Sequence, residues 1–430
     1  MSTHPEHTMT LCLDNATLDG ISHPVSIFIK DGLIDQIGVE LSIPDDTLRM
    51  DAQAMTVIPG LVNGHTHAAM TLLRGAGDDL PLMAWLTQRI WPAEARLSEE
   101  DVYWGTRLAT IEMIRSGTVA FQDGYWHCAG IARAVQESGL RAAVGMGMVD
   151  AQGVEQGESC KKIAMAFMEM APHFGPRIQP LLFPHAIYSV SPENLRWCSR
   201  FAETHGINLH IHLSETVQEV TDCLKRYGMR PAFHLDRLGF LHERTILAHG
   251  VFLDDAELDL IARRGATLIT NPTSNLKLAV GGIFPYERVA ARGIAVALGS
   301  DGAASNNSLD MFQELKTFAL VQKHAQKDPT AMPAALALEI AMGRHAPILG
   351  QTGIIAPGQP ADLLLIRTSD PEMIPPLHLA SNLVYAATGH VVDTTIVAGR
   401  VLMRHRVIAG EEEVRQEVTA RARRITLAAS

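Results

Sequence analysis

Between residues 56 and 356, short apolar runs alternate with amphipathic ones, and the alternation occurs eight times. The apolar runs are 56–63, 118–122, 141–148, 178–183, 207–212, 245–248, 266–270 and 294–299. Helical periodicity fills the intervals, as at 101–115, 192–205 and 254–264. Near-continuous apolar strands separated by helices are the pattern of a parallel sheet, because each crossover helix carries the chain back over the sheet and buries it. Eight such units fit a closed (β/α)8 TIM-type barrel. An open, doubly wound sheet alternates in the same way, so strand number does not decide between them.

The two ends of the chain follow another grammar. Val25-Ser26-Ile27-Phe28-Ile29-Lys30 and Leu33-Ile34-Asp35-Gln36-Ile37 flank Asp31-Gly32, a hairpin signal. Near the far end, 361–366 reads as a strand, and 393–397 with 401–403 reads as a hairpin turning at Ala398-Gly399-Arg400. Chain termini often lie close together, so one small β-sandwich domain built from both ends is the economical expectation. The predicted division is 1–57 and 357–430 for the small domain and 58–356 for the barrel.

Composition narrows the function. With 47% hydrophobic and 19% charged residues, the chain can bury a large core. A formal charge of −11 argues against nucleic acid or an anionic membrane as partner. No run approaches the ~18 apolar residues of a membrane span. A small neutral or zwitterionic substrate fits better. The five cysteines form no C-x-x-C pair, which fits reduced thiols in a cytoplasmic protein rather than a disulfide framework or a cysteine-zinc deaminase. The cysteines, and Met165, Met168 and Met170, are expected to pack in the core. His4, His7, His23, His324 and His405 are expected at the surface, and Met1–Met9 reads as a loose tail.

Polar residues fall where the apolar runs stop. His65-Thr66-His67 follows the first run, and residues two apart in a strand face one way, so both imidazoles point to one side. His185 ends the fourth run, and His212 the fifth, with Glu215 just beyond. His249 ends the sixth and Asp301 the eighth. Any one of these histidines is an ordinary structural residue by itself. Together they stand at the C-terminal strand ends, the active-site face of a TIM barrel, and they converge only if the barrel closes. Three imidazoles (His65, His67, His212) and the Asp301 carboxylate make an open, catalytic type of metal site. His210 shares a face with His212 and competes for the third nitrogen position, although His212 is nearer the strand end. The fourth run carries no lysine that could be carbamylated to bridge two ions, so one divalent metal is expected. Zinc suits the ligands best, and iron or manganese also accept them.

These residues resemble the amidohydrolase superfamily, and within it the methylthioadenosine/S-adenosylhomocysteine deaminases. Pro59-Gly60-Leu61-Val62-Asn63-Gly64-His65-Thr66-His67 looks like the family's opening motif. His212-Leu213-Ser214-Glu215, Leu247-Ala248-His249 and Ser300-Asp301 look like its later signatures. Residues 271–278, Asn-Pro-Thr-Ser-Asn-Leu-Lys-Leu, are similar to its segment after strand seven. The likeness runs from about residue 10 to 410. It implies hydrolytic deamination of 5′-methylthioadenosine, with S-adenosylhomocysteine and adenosine as further substrates. It also supports His212 as ligand through its spacing to Glu215. Within Trp91-Pro92-Ala93-Glu94, the resemblance implies that Glu94 holds the ribose diol. Within Pro184-His185-Ala186-Ile187-Tyr188-Ser189, it implies that His185 touches base and sugar.

In the implied mechanism Asp301 accepts a proton from the attacking water, Glu215 enters protonated and shuttles protons to the purine, and His249 stabilises charge on the incoming oxygen. A small-molecule nucleoside substrate and a homo-oligomer are expected. One departure stands out. The relatives that bind S-adenosylhomocysteine hold its carboxylate with arginine after the third strand, and here no arginine lies between Arg141 and Arg177. Only Lys161 and Lys162 are candidates, which tilts the expectation towards methylthioadenosine. The rival readings are a guanine or cytosine deaminase, a triazine chlorohydrolase, and a non-catalytic barrel subunit.

Overall fold

The computed structural model describes residues 10–346 and 348–427; the stretch Met1–Met9 lies outside them. Strands β1 (Leu11–Ala16), β2 (Val25–Lys30), β3 (Leu33–Gly38) and β4 (Leu48–Asp51) form a sheet in the order β3-β2-β1-β4. Asp31-Gly32 makes the β2–β3 turn with both residues at positive φ, as a two-residue hairpin loop demands. Strand β5 (Met55–Pro59) joins a second small sheet, and the chain then enters the barrel.

The barrel strands are β6 (Leu61–His67), β7 (Thr118–Tyr125), β8 (Arg141–Met148), β9 (Ile178–Pro184), β10 (Asn208–Leu213), β11 (Thr245–His249), β12 (Thr267–Thr270), β13 (Val296–Leu298) and β14 (Asp301–Gly302). Their hydrogen-bonded order is β13-β12-β11-β10-β9-β8-β7-β6-β14, and the pairs are parallel. Strands β13 and β14 sit at opposite ends of that order but are separated in sequence only by Gly299 and Ser300. The eighth barrel strand is therefore these two pieces together, one bonded to the seventh strand and the other to the first. That is a sheet closed on itself, and it excludes the open alternative.

Capping residues set the flanking helices. Ser98 and Asp101 form a reciprocal capping box, so helix Glu99–Arg115 begins two residues before the periodicity places it. Asp254 and Glu257 do the same for Asp255–Arg264, and Ser191 with Pro192 opens Pro192–His205.

At the other end of the chain, β15 (Leu363–Arg367), β16 (Val392–Val397) and β17 (Arg400–Met403) join β5 in the order β17-β16-β15-β5. The two small sheets share a core of Leu11, Leu13, Ile27, Ile29, Leu365 and Ile396. Strand β15 serves two cores by alternation. Leu363 and Leu365 enter the sandwich, while Leu364 and Ile366 pack with the barrel. Asp362, just before it, is buried and accepts from Arg141 Nε of β8 at 2.7 Å and from the Ala398 N–H, tying sandwich to barrel.

All five cysteines are buried, as expected. Two of the methionines are not. On helix Val154–Met170, Met165 is 46% and Met170 39% exposed, and only Met168 packs against the core. That helix turns its buried stripe, with Cys160, Ala164 and Phe167, to the barrel, and positions 165 and 170 fall outside it. His23, His324 and His405 are exposed. Among the described residues, no helix is long and apolar enough to cross a membrane.

Candidate active site

Register alone assembles the centre of the site. Pairing of β14 with β6 sets Asp301 beside Thr66, so the carboxylate stands between the two histidines of the H-x-H. His65 Nε2 and His67 Nε2 lie 3.4 and 3.2 Å from Asp301 Oδ1. His212 arrives from β10, and its Nε2 is 3.2 Å from His65 Nε2. The four ligand atoms lie within 4.8 Å of one another, and all four residues are buried.

The second nitrogen of each ring is already engaged. His67 Nδ1–H donates to the Gly124 carbonyl at 2.6 Å, and His212 Nδ1–H donates to the His185 carbonyl at 2.8 Å. A carbonyl can only accept, so in the neutral rings the Nε2 atoms carry lone pairs. Lone pairs converging on a buried carboxylate repel unless something positive stands among them. The residues therefore fit one divalent cation. Asp301 supplies the same requirement in the other direction. Burial works against its charge, but the His65 and His67 rings beside it, when they carry a proton in place of a cation, hold its carboxyl well below the usual carboxylate range. At His67 burial is likewise outweighed, by Asp301, and its pKa is raised to about 9. Burial pushes His65 down to about 4 and His212 well below its ordinary value.

His210 is not part of this set. It shares the inward face of β10 but sits one pleat deeper, with Nε2 3.1 Å from His65 Nδ1. It backs the ligand rather than joining it.

The remaining expected residues surround a cavity of about 480 Å3 that opens beside the four ligand atoms. Glu215 and His249 lie together, with Glu215 Oε1 3.9 Å from His249 Nδ1. Burial raises the Glu215 carboxyl above its ordinary value, partly countered by His249. Glu94 ends the short helix Trp91–Glu94 in the loop after β6, lines the cavity, and is also raised by burial. His185 lines it too, with Nδ1 2.7 Å from Ser189 Oγ, and burial lowers it to about 3. The rest of the lining is mostly apolar, with Leu82, Trp85, Leu86, Trp126 and Val149, and adds the polar His127, Gln152 and Gln156. No lysine or arginine is found among the described lining residues. Lys161 pairs with Glu158 at 2.7 Å and lies over the Trp197 ring, away from the cavity.

Three strand ends leave through left-handed residues: Ser214 at φ 50°, His249 at φ 71° and Asp301 at φ 60°. Such backbone is costly for a residue with a side chain and gathers at functional sites. The bend after β10 is held by Glu219, whose two carboxylate oxygens accept the N–H groups of Ser214 and Glu215, each at 2.9 Å. Strand periodicity does not point to Glu219, although Thr216-x-x-Glu219 is a helix-start pattern that marks it. Nor does it point to Ser274 and Asn275, and both touch site residues.

Comparison with known proteins agrees with this geometry. Residues 56–402 match the amidohydrolase family. A 5′-deoxyadenosine deaminase of Methanoregula boonei is 47% identical over 408 residues, spanning 94% of this chain and 92% of its own. A 5-methylthioadenosine/S-adenosylhomocysteine deaminase of Pyrococcus furiosus is 42% identical, spanning 88% and 90%. Among solved structures, an adenosine deaminase from Xanthomonas campestris with bound zinc matches with a TM-score of 0.90 at 33% identity, over 97% of this chain and 98% of that one. A closed barrel with three histidines and an aspartate at its strand ends, and a likeness spanning nearly the whole chain, make this protein a member of the amidohydrolase family.

Proposed function

We propose that the protein hydrolyses the C6–N bond of an adenine nucleoside whose 5′ end is short and apolar, with 5′-methylthioadenosine as the reference substrate. The products are the inosine analogue and ammonia. Adenosine and S-adenosylhomocysteine are poorer substrates, and 5′-deoxyadenosine belongs to the favoured class. The observation that carries this reading is the make-up of one cavity: three residues of the four-atom ligand group, an acid and a histidine beside them, the half-buried carboxylate of Glu94, and a mostly apolar remainder.

A divalent cation, zinc in this reading, would be held by His65, His67, His212 and Asp301, and it supplies a Lewis acid that makes water acidic near neutral pH. The chain's own groups do the rest. Asp301 takes the proton of the attacking water. Glu215, whose carboxyl burial raises, gives its proton to the purine nitrogen next to C6 as that carbon becomes tetrahedral. It then helps pass a proton to the departing ammonia. His249 faces the oxygen on which charge develops. Glu94 accepts hydrogen bonds from the two ribose hydroxyls, and His185, steadied by Ser189, contacts sugar and base.

The 5′ preference follows from desolvation. A zwitterionic tail loses water on binding, and the cavity offers no lysine or arginine in return among its described lining residues. Within the same reading, 58–356 is the catalytic unit and 1–57 with 357–430 the smaller one. Its support is that Val57 packs in the sandwich core and Ile58 in the barrel core.

Ammonia release from a panel of nucleosides and free bases tests this. Methylthioadenosine should exceed S-adenosylhomocysteine by about tenfold to a hundredfold in kcat/KM. Glu94→Ala should raise KM for nucleosides. Guanine or cytosine as the best substrate, with Glu94→Ala indifferent, would transfer the reading to a base deaminase. Equal values for S-adenosylhomocysteine would overturn the 5′ preference.

A further inference from the structure

After β12 the chain runs through Asn271 into the short helix Pro272–Lys277, beneath the mouth of the barrel. Nothing in the mechanism uses this stretch, yet two neighbouring side chains on it reach two different reacting groups. Ser274 is buried, and its Oγ–H donates to Asp301 Oδ2 at 2.6 Å. Asn275, one residue on, accepts the His249 Nδ1–H through Oδ1 at 2.8 Å. Asn271 closes the group, with Nδ2 3.4 Å from the same ring nitrogen.

We propose that this segment is a positioning element: Ser274 fixes the rotation of the Asp301 carboxylate, and Asn275 fixes the ring of His249. The proposal rests on the deaminase reading above. A carboxylate on a short side chain can turn about its last bond and exchange its oxygens. Here Oδ1 is taken by the Gly302 N–H at 2.9 Å and faces His65 and His67, while Oδ2 has Ser274 as its donor. Without that donor a buried carboxylate oxygen is left unpaired, and its cheapest remedy is to rotate. Ser274 on Oδ2 and the Gly302 N–H on Oδ1 together set the rotation of the side chain. His249 is alike in this respect. Its backbone is also left-handed, and Asn275 decides which ring nitrogen carries a proton and how the ring is turned. Because both anchors ride on one turn of helix, the two groups are held in fixed relation to each other.

The two arms are separable by experiment. Asp301 is a cation ligand in this reading and His249 is not. Ser274→Ala and Asn275→Ala are each prepared with Co2+ in place of the native ion, and thermal unfolding checks that they fold. Both should retain one equivalent of Co2+ and lose about 10- to 100-fold in kcat. KM should stay within about threefold, because neither residue touches substrate. The visible Co2+ bands should shift in Ser274→Ala, whose ligand has turned, and stay unchanged in Asn275→Ala. Ser274→Thr, which keeps the hydroxyl, should recover most of kcat.

Unaltered kcat in both alanine variants overturns the proposal, as does a rise in KM with kcat intact. A Co2+ spectrum that moves in both variants, or in neither, overturns the assignment of one anchor to each group. Each contact is read by its own variant, so a failure of one to fold leaves the other decisive. Failure of the wild-type protein to bind Co2+ or to release ammonia would strike the functional reading instead.

Discussion

In the proposed mechanism Glu215 is the residue on which the chemistry turns, and its environment defines its test. Burial raises its carboxyl, so the acid form persists to higher pH than that of an ordinary glutamate. A step that needs this proton is supported below the raised value and lost as pH rises through it. Glu215→Gln should keep the cation and lower kcat by about 10²-fold or more, and the alkaline limb of the kcat profile should disappear with the residual rate. A glutamine variant with near-normal turnover, or with the alkaline limb intact, assigns the proton to another group. At this scale the sequence was informative wherever a simple period applied. The H-x-H spacing and strand-end positions of His212, His249 and Asp301 needed only the twofold alternation of a strand. The choice between His210 and His212 needed more, because alternation puts both on one face and only depth in the barrel separates them. Glu94 lay beyond local reasoning altogether. A charge at the end of a four-residue helix reads as solvated, and only the loop's path over the barrel mouth places it in the cavity.

Elements were read well where caps and apolar runs coincide, and less well where the backbone departs from its type. Strand β8 and helix Pro192–His205 have the bounds the pattern predicts. The eighth barrel strand does not, since it breaks after Leu298 and resumes at Asp301, and that break carries the ligand. The positive φ of Ser214 has no composition signal, and that of His249 and Asp301 only the weak enrichment of His and Asp in this region. What makes such turns affordable is a partner elsewhere, and for the bend after β10 it is Glu219. A carboxylate matches two N–H groups with two acceptors, whereas a glutamine turns one of those acceptors into a donor. Glu219→Gln should therefore leave one buried N–H opposed, costing about 1–3 kcal/mol of stability. The displaced turn carries Glu215, so kcat should fall by about tenfold while the cation is retained. Denaturant unfolding and steady-state kinetics check this together. Unchanged stability would show that the turn holds itself, and lost stability with full kcat would show that Glu215 does not depend on it.

For the whole molecule, the four ligand residues come from the first, fifth and eighth barrel strands, separated by as many as 236 positions in sequence between His65 and Asp301. A cation held by all four ties the closing seam of the barrel to its opposite side. It binds the folded chain and has no comparable site in the unfolded one, so it must stabilise the fold by mass action. At a free concentration a hundredfold above its dissociation constant the gain is about 2.7 kcal/mol. Chelation should accordingly lower Tm by several degrees, and added Zn2+ should restore it. Among the described residues one other group of side chains can also gather an ion: Asp370, Glu372 and His390, on the small-domain side and not buried. Arg367 already occupies Asp370, at 2.7 Å, which leaves that group a weak competitor. Asp301→Asn separates the two. It removes a ligand charge from the barrel site and touches nothing at the other, so the Zn2+-dependent rise in Tm should vanish with activity. Were the rise to survive in Asp301→Asn, the stabilising ion would have to sit outside the barrel, and the seam would be held by the strands alone.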